Sequence, residues 1–406
     1  MLGSRCGQAR LGRAADTEIP RHVVLLTHVL ARTPNFMDPL IPGLPDEVAL
    51  ECLLRVPYTG FRAVRSTCKQ WRAEVQSPGF YRLRRAGGHA RTVVAFTQSE
   101  QPSCADGGAP ANKHQASSAP AVTMPYRISL FEPDTGAWDV LPGIPGLPHG
   151  LPLFCRVAGA GRSLIVVGGW EPSSWAASDE VFVYDFVSGA WRRGARMPGP
   201  RRSFFACASD ADRMVLVAGG HDDEKNALRS ALAYDVVADE WAHLPDMALE
   251  RDECKGVFRA GALHVVGGYS TEMQGRFGRC SEAFDVATQR WGPVEEDTLE
   301  TGMCPRSCVA SGEGLYRCRE GQVEAQNRST WCAVAEVPED ARLAPCLVAV
   351  GVGRLVVVGS ACHGGPHACY LLEEAEEGGK QRWAWRRMAA PEEYSGHVQD
   401  GCCLDI

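Results

Sequence analysis

The sequence contains no uninterrupted apolar run of about 20 residues, which is the length that a membrane-spanning helix requires. The apolar stretch at residues 23–30 is short, contains His28 and is followed by no small-residue cleavage site, so it does not indicate a secretory signal. Outside the secretory pathway, the 17 cysteines are expected to be mostly reduced, buried side chains. We therefore expect a protein of the cytoplasm, the nucleus or both, without a membrane partner.

The sequence also lacks the common signatures of enzyme active sites. No glycine-rich phosphate loop precedes a helix, no Gly-x-Ser-x-Gly motif occurs, and no pair of carboxylates stands out for acid–base chemistry. The best metal-ligand candidates are Cys362, His363, His367 and Cys369, which could converge only if residues 364–366 turned the chain back. The sequence therefore predicts no catalytic residue, no cofactor and no metal, and a metalloenzyme such as a copper oxidase stays open as an alternative.

Positive charge dominates only the first part of the chain. Residues 1–91 carry 14 Lys and Arg against 7 Asp and Glu, whereas the remainder carries 28 against 42. This division indicates two modules with different partners. Because the larger, acidic part would repel phosphate, we expect no nucleic-acid partner.

A motif of about 50 residues recurs along the larger part. A pair of glycines follows an apolar strand pattern, and a tryptophan comes about 22 residues later. The three clear copies contain Gly168, Gly169 and Trp191; Gly219, Gly220 and Trp241; and Gly267, Gly268 and Trp291. The pairs are 51 and 48 residues apart and the tryptophans 50 and 50. A fixed period of this length indicates one supersecondary unit used repeatedly, and kelch β-propellers have roughly this period.

Degenerate copies extend the repeat to six. The tryptophan position is also filled by Trp138, by Trp331 and by either Trp383 or Trp385, although the first and fifth copies lack the glycine pair. Each copy except the first has a further strand pattern before the glycine-pair strand, and residues 398–405 can supply the missing one. We therefore predict a mainly all-β fold, a six-bladed kelch propeller that the C-terminal strand closes, because closure protects the sheet edges.

The propeller is predicted to occupy residues 91–406. Residues 99–125 are rich in Ala, Ser, Pro and Gly and predict a disordered insertion within it. The recurring glycines and tryptophans are expected to be structural, because a site of function would be unique. Function should lie in the loops after the second and fourth strand of each blade, which emerge on one face. That face offers Trp170, Trp175, His221, Arg251, Tyr269, Arg276 and His363 as candidate substrate-binding residues, and the alternative is that some of them only pack the loops.

A small helical module is predicted at residues 37–85. Its first helix begins at Pro45, which suits the first helical position, and ends at Pro57. A second helix is predicted over residues 61–74, followed by a basic tail at 80–85. An apolar stripe on the first helix consists of Val48, Cys52, Leu53 and Leu54. A module this small is normally stabilised by a partner.

The segment before this module, residues 1–36, is rich in arginine and has no periodic pattern. It predicts a disordered extension, and an organelle transit peptide is the functional alternative, although such peptides are also rich in serine.

Three motifs in the helical module resemble the F-box. They are Leu44-Pro45-Asp46-Glu47, Leu53-Leu54 and Cys68-Lys69-Gln70-Trp71. The resemblance implies docking to the Skp adaptor and, through it, to the cullin and RING subunits of a ubiquitin ligase. The residues that it implies at this contact are Leu44, Pro45, Leu53, Leu54, Val64, Cys68 and Trp71. A generic helical hairpin that caps the propeller is the alternative.

An F-box followed by a kelch propeller resembles the F-box/kelch-repeat family of plants. Residues 250–257 and 394–406 look like one branch, whose members deliver phenylalanine ammonia-lyase to the proteasome and so regulate phenylpropanoid metabolism. Some members are linked to type-B response regulators of cytokinin signalling. The resemblance thus implies a non-catalytic substrate-recognition subunit of an SCF (Skp–cullin–F-box) ligase for ubiquitin-dependent degradation. A kelch scaffold without ligase function stays open. The N-terminal extension, the insertion at 101–125 and the weak fifth repeat depart from the family.

Overall fold

The computed structural model of the protein describes residues 39–100, 124–327, 330–377 and 380–406. The extension predicted at 1–36 and most of the predicted insertion lie outside these residues. The described part begins with four helices, α1 (Asp46–Leu54), α2 (Phe61–Thr67), α3 (Lys69–Gln76) and α4 (Pro78–Ala86). Single 3₁₀ turns lie at Tyr58–Gly60, Thr271–Met273, Pro305–Ser307, Glu339–Ala341 and Glu392–Tyr394.

The second predicted helix is in fact two helices, and the basic tail is a third. The break falls at Cys68, whose backbone is extended and whose Sγ accepts a hydrogen bond from the Trp71 amide at 3.4 Å, so that the thiol caps α3. Ser77 caps α4 in the same way, through Oγ and the Phe80 amide at 3.0 Å, with Pro78 at the first helical position. The continuous apolar pattern had concealed both caps.

The rest of the described chain forms strands. They are β1 (Thr92–Ser99), β2 (Tyr126–Glu132), β3 (Ala137–Val140), β4 (Arg156–Ala160), β5 (Ser163–Val167), β6 (Val181–Asp185), β7 (Ala190–Arg193), β8 (Ala206–Ser209), β9 (Met214–Ala218), β10 (Ala231–Asp235), β11 (Glu240–Leu244), β12 (Lys255–Arg259), β13 (Ala262–Val266), β14 (Ser281–Asp285), β15 (Arg290–Trp291), β16 (Val309–Ser311), β17 (Gly314–Arg319), β18 (Gln322–Asn327), β19 (Thr330–Glu336), β20 (Leu343–Ala349), β21 (Arg354–Ser360), β22 (His367–Glu377), β23 (Lys380–Met388) and β24 (Val398–Asp405).

These strands form six antiparallel sheets of four strands, which are the blades of the predicted propeller. Blade 1 contains β24, β1, β2 and β3 in that order, and the next five blades follow in chain order from β4 to β23. The first strand of each blade lines a central channel, and the apolar second and third strands pack between neighbouring blades. The six-bladed fold is therefore confirmed.

The C-terminal strand closes the ring, as predicted. β24 pairs with β1 in a register that sets Thr92 against Asp405 and Phe96 against Gly401. One residue further on, the backbone of Ile406 exchanges two hydrogen bonds with Arg91, of 2.6 and 2.8 Å. The inner position of blade 1 is thus filled from the opposite end of the chain.

Glycine is required at both positions of the pair by their backbone angles, and at the second position the backbone of a neighbouring loop leaves no room for a side chain. Gly168 and Gly169 have φ angles of +62° and +92°, which side chains disfavour. A Cβ on Gly169 would lie 2.8 Å from the amide nitrogen of Cys155, and one on Gly220 would lie 2.5 Å from the carbonyl oxygen of Ser203. The pair therefore lets the second strand turn beside the loop that enters the same blade.

The repeated tryptophan joins each blade to the one before it through its indole N–H. The Nε1 donors and carbonyl acceptors are Trp191 and Pro142 (2.6 Å), Trp241 and Ala195 (2.8 Å), Trp291 and Pro245 (2.6 Å), Trp331 and Thr298 (2.9 Å), Trp385 and Glu336 (2.8 Å), and Trp138 and Ala389 (3.0 Å). The last of these bonds runs from blade 1 to the loop after blade 6. Trp385, and not Trp383, is therefore the sixth repeat tryptophan.

This assignment predicts that replacing Trp385 destabilises the protein more than replacing Trp383. Trp385→Phe removes the bond to Glu336 and should lower the free energy of unfolding by about 1 kcal/mol more than Trp383→Phe, since both lose similar ring area. Trp383 makes an edge contact with Tyr316 and serves as the matched control. Urea denaturation of the two variants measures the difference. Equal losses would contradict the assignment.

The helical module packs on the end of the ring that carries the tight turns between first and second strands and between third and fourth strands. Arg162, in such a turn, donates to the carbonyl of Gln76 at 2.6 Å, and the Tyr58 ring meets Phe186 edge-on at 5.7 Å. The Tyr81 hydroxyl donates to the carbonyl of Asp405 at 2.8 Å. The longer loops therefore emerge at the end opposite to this module. No helix in the described ranges is long and apolar enough to cross a bilayer.

Candidate functional site

Two surfaces at opposite ends of the ring are candidates for binding other proteins. One is the outer side of the helical module, and the other is the face formed by the long loops, called the loop face below. Exposed large apolar side chains occur on both: Leu44 and Val48 on the first, and Trp175, Leu249 and Met273 on the second. Exposed apolar side chains that group in this way are typical of interaction surfaces.

The predicted adaptor-binding residues divide between the surface and the core of the helical module. Leu44 and Pro45 are exposed before α1, and Cys68 is exposed at the start of α3. The half-buried Trp71 donates through Nε1 to the carbonyl of Leu40 at 2.7 Å, which ties the N-terminal segment to α3. The accessible part of the predicted set is therefore the entry to α1 and the start of α3.

Three residues of that set are buried, and their side chains form the core instead of a contact surface. Leu53, Leu54 and Val64 pack in the apolar cluster that joins the module to blades 1 and 2. The sequence missed two outward residues of α1, Val48 and Cys52, which are both exposed. Positions 48 and 52 are four apart and share a face, whereas 49 and 53 share a neighbouring face that is turned by about 100° around the helix axis. The single apolar stripe assumed from the sequence therefore consists of two.

On the loop face, aromatic rings surround Trp170, which begins the long loop of blade 2. Ring centroids lie 5.5 Å from Phe154, 5.4 Å from Phe204 and 6.1 Å from Trp175. The Nζ atom of Lys225, from the corresponding loop of blade 3, lies 5.1 Å from the Trp170 ring centroid. Trp175 is 56% exposed, so this cluster offers a wide apolar surface to a partner.

A series of hydrogen-bonded polar side chains holds Lys225 in this cluster. Asp252 accepts from His221 Nδ1 at 2.8 Å, and His221 Nε2 accepts from Lys225 Nζ at 2.9 Å. A carboxylate only accepts and an ammonium only donates, so the partners define which nitrogen of the imidazole holds its proton. His221 and Asp252 are buried, and the pair fixes the position of Lys225 over Trp170.

Arg251, which was predicted to face a partner, is buried and structural. Its guanidinium pairs with Glu282 at 3.1 Å and donates to the carbonyl of Gly267 at 2.8 Å. Arg202, one repeat earlier, donates to the carbonyl of Gly219 at 3.2 Å in the same way. The two arginines hold successive glycine pairs, and their burial leaves Arg251 no surface for a partner.

The remaining predicted residues of the loop face lie further round the ring. Tyr269 is nearly buried in blade 4, where its hydroxyl donates to Glu253 Oε1 at 2.9 Å, and burial raises its pKa well above the usual range. Arg276 is exposed in the same loop, and His363 is exposed on blade 6. The structure therefore brings Trp170, Trp175 and His221 together and leaves His363 separate from them.

The sequence missed Phe154, Phe204 and Lys225 as members of the cluster. Phe154 and Phe204 were assigned to strands, but their φ angles of +58° and +53° turn them out of the strand just before it begins. They lie 50 residues apart, so the repeat period itself marks them as equivalent. Lys225 has no such mark, because its contact with Trp170 joins loops of two different blades.

The central channel holds charged groups and thiols. At its loop-face end, Asp400 lies 3.8 Å from Arg156 and 3.5 Å from Lys255. Burial raises the pKa of Cys207 and Cys308 to about 12, so these channel thiols are neutral and poor nucleophiles. Among the residues that the structure describes, no three His, Cys, Asp or Glu side chains converge as metal ligands would.

The four metal-ligand candidates on blade 6 differ in solvent exposure, so they do not form one site. Cys362 and His363 are exposed, whereas His367 and Cys369 are buried. The His367 ring meets that of His397 at 5.2 Å. Burial, with a smaller effect of His397, lowers the pKa of His367 to about 4.

The low pKa of His367 predicts that acid destabilises the protein. In the unfolded chain a histidine has a pKa of about 6.5, so the unfolded state binds more protons below this pH. The contribution of His367 to the free energy of unfolding should be constant above pH 6.5 and fall by about 3 kcal/mol down to about pH 4. Burial also lowers the pKa of His264 and of His397, so these residues should add to the same pH dependence. His367→Phe should reduce the slope of this dependence in denaturation curves recorded from pH 7 to 4.5. The exposed His363→Phe is the control, and an unchanged slope in His367→Phe would contradict the prediction.

Comparison with known proteins adds two family matches. The family model described as F-box domain matches residues 41–83, which contain α1 to α4 up to Leu83, and the one described as Kelch motif matches residues 153–198 and 201–248, which are blades 2 and 3.

Curated relatives match over most of the chain. The F-box/kelch-repeat protein At1g80440 of Arabidopsis thaliana is 45% identical over 375 residues, which cover 90% of this chain and 99% of the relative. The F-box/kelch-repeat protein At1g15670 of the same plant is 44% identical over 370 residues, with the same coverage. The F-box/kelch-repeat protein SKIP20, also from Arabidopsis thaliana, is 36% identical over 304 residues, which cover 68% of this chain and 71% of the relative.

Proposed function

The chain belongs to the F-box/kelch-repeat family of plants, and from this premise we propose that it is the substrate-recognition subunit of an SCF-type ubiquitin ligase. The F-box would dock the Skp adaptor and, through it, the cullin and RING subunits. The propeller would hold the protein to be ubiquitinated for proteasomal degradation. The chain itself would make and break no bond.

One observation carries this proposal: the two candidate surfaces lie at opposite ends of one continuous structure. The outer side of the F-box exposes Leu44 and Val48, which are 38% and 47% accessible. The inner side packs on blades 1 and 2 through a shared apolar cluster, so the adaptor surface is attached to the ring by packing and not by a linker alone. Apolar side chains exposed on a small helical module favour a protein partner.

The chemical role that follows is proximity. A target bound on the loop face is held near the ubiquitin-conjugating enzyme that the rest of the ligase carries. Holding two reactants together can supply several kcal/mol of rate enhancement without a catalytic side chain. The packing of the F-box on the propeller supports this role, because a loosely tethered target would sample many positions that do not react.

The finer proposal concerns the target and the cell compartment. We propose phenylalanine ammonia-lyase, with type-B response regulators second, on the resemblance of residues 250–257 and 394–406 to the branch that acts on these proteins. Arg251, Cys254 and β24, within these segments, are structural, so the segments support kinship more than target choice. We further propose that the protein acts in the cytoplasm or nucleus, without membrane or nucleic-acid partners.

Substitutions at the exposed entry to α1 test the ligase proposal. Leu44→Asp combined with Pro45→Ala should abolish co-purification with a Skp adaptor, since a carboxylate would be placed in an apolar contact. The double variant should melt like the wild type because both side chains are exposed. Trp175→Ala, on the opposite end, is the control and should retain the adaptor.

If the double variant still co-purifies with the adaptor, the F-box assignment is contradicted and the scaffold without ligase function is favoured. Proximity labelling with and without a proteasome inhibitor then addresses the target. Phenylalanine ammonia-lyase should accumulate among the labelled proteins when the proteasome is blocked. Its absence would remove the target proposal and leave the adaptor proposal standing.

A further inference from the structure

The loop face already holds an ammonium group, and that group belongs to the chain itself. Lys225 Nζ lies over the Trp170 ring at 5.1 Å and donates to His221 Nε2 at 2.9 Å, with Asp252 behind the imidazole. An aromatic face, a neutral imidazole and a carboxylate together make a site for a cation. The position of Lys225 therefore shows that this part of the loop face accommodates a positive charge.

The loop that presents Lys225 is built to hold a strained backbone. Lys225 has a φ angle of +68°, which a lysine rarely adopts. Asp222 supports the turn, because its Oδ1 accepts from the amides of Glu224 at 3.0 Å and Asn226 at 2.8 Å. Trp175 occupies the same tip position in the loop of blade 2, with a φ angle of +56°. Strained residues held by their surroundings are frequent at binding sites.

The charge around this site is negative. Asp223 and Glu224 are exposed in the same loop as Lys225. Glu250 and Glu253 are partly buried in the segment that leads to blade 4, where they accept hydrogen bonds from the Thr271 amide and the Tyr269 hydroxyl. Against these four carboxylates, the neighbouring loops carry two exposed cations, Arg201 and Arg276. This local excess of carboxylates opposes an acidic partner and attracts a basic one.

Apolar side chains lie in the same part of the loop face. Leu249 and Met273 are 42% and 46% exposed, in addition to the exposed ring of Trp175. They belong to the segment between blades 3 and 4 and to the long loop of blade 4. A partner that fits this surface would therefore combine positive charge with apolar side chains.

We propose that the Trp170 site binds a basic segment of the partner protein, whose lysine or arginine takes the place of Lys225. Apolar side chains beside that cation would lie on Trp175, Leu249 and Met273. In the free protein the ammonium group of Lys225 occupies the site over Trp170, so it competes with the cation of the partner. This proposal rests on the proposed function, in which the loop face holds the target, and it names the chemistry of the segment that is held.

Selection of a displayed library of random 12-residue peptides on the immobilised full-length chain tests the proposal. The recovered peptides should be enriched in lysine or arginine beside an apolar residue, and their binding should weaken with salt. Enrichment of acidic peptides, or of none, would overturn the proposal.

Two variants then define the site, with one recovered peptide as the fluorescent probe. Trp175→Ala should weaken its binding about tenfold. Lys225→Met should tighten it several-fold, because the competing ammonium is gone. Weaker binding by Lys225→Met would mean that Lys225 itself binds a carboxylate of the partner, and the proposal would fall. Val352→Ala, which is 81% exposed on the opposite end, is the control.

Adaptor co-purification separates this test from the proposed function. All three variants should retain the Skp adaptor, because none lies in the F-box. If the wild-type chain does not co-purify with a Skp adaptor, only the ligase proposal is contradicted. If Trp175→Ala binds the peptide as tightly as the wild type, only the assignment of this surface is contradicted.

Discussion

Deletion of residues 398–406 should unfold the whole propeller, although it removes only one terminal strand. β24 is the innermost strand of blade 1 and pairs along the full length of β1. Without it, β1 becomes an unpaired edge inside the ring, and blades 6 and 2 lose the strand that lies between their own inner strands. An open ring exposes a sheet edge and the apolar faces of two blades.

The expected loss is comparable with the total stability of a protein. Val398, Leu404 and Ile406 are almost completely buried, and each contributes about 1.5 to 3 kcal/mol by its burial. Asp400 adds its contacts with Arg156 and Lys255 across the channel. Since folded proteins are stable by only about 5 to 15 kcal/mol, the deletion should leave little or no cooperative folded structure.

Thermal melting followed by circular dichroism measures this outcome. The truncated chain should show no cooperative transition, and a synthetic peptide of residues 398–406 added in trans should restore part of it. The same peptide with Leu404→Asp is the control and should not restore it. A truncated protein that melts like the full-length chain would refute the closure.

This closure could be predicted from the sequence because it follows from counting strands. Five copies of the repeat have a strand pattern before the glycine pair, the first has none, and an unused strand pattern remains at residues 398–405. The tryptophan period located the blades for the same reason. Trp385 could not be distinguished from Trp383 in this way, because the two lie two residues apart on the same face of one strand. Only the hydrogen bond to Glu336 distinguishes them.

The candidate site was harder to predict, because burial of polar residues depends on contacts between distant segments. Arginine usually lies on surfaces and histidine is intermediate, yet Arg251 and His221 are both buried. The 49-residue spacing between Arg202 and Arg251 matches the repeat and could have identified a structural pair. No spacing links Lys225 to Trp170, since their contact arises only when two blades stand side by side.

The F-box shows the same limit on a smaller scale. On α1 the apolar positions cover two faces, and the sequence does not say which face packs on the propeller. Ala49 and Leu53 pack inward because blades 1 and 2 cover that side, which leaves Val48 and Cys52 outside. The exposed residues therefore depend on the neighbouring domain and not on the helix alone.

The second large effect is expected at Arg84, which joins the F-box to the C-terminus. Its buried guanidinium donates to the carbonyls of Leu54, Val56 (2.6 Å) and His89 (2.9 Å) and, at 3.4 Å, to that of Ile406. Burial, with a smaller effect of Arg91, lowers its pKa to about 10, so it stays charged at neutral pH. The carbonyls after the end of α1 attract this charge, as helix C-termini do.

Arg84→Met should destabilise the F-box by about 3 to 5 kcal/mol, because four buried or partly buried carbonyls lose their donor together. We expect faster hydrogen exchange in α1 to α4 than in the wild type, while blades 3 to 5 remain protected. Arg85→Met is the matched control, since Arg85 is exposed and pairs with Asp405 only at 3.7 Å, and it should change stability by less than about 0.5 kcal/mol. Equal exchange in the two variants would show that Arg84 does not fasten the F-box. Faster exchange confined to α1 to α4 would instead show that Arg84 contributes to holding the F-box in place, beside the apolar cluster shared with blades 1 and 2. Arg84→Met should then also slow ubiquitination of a bound target without weakening its binding.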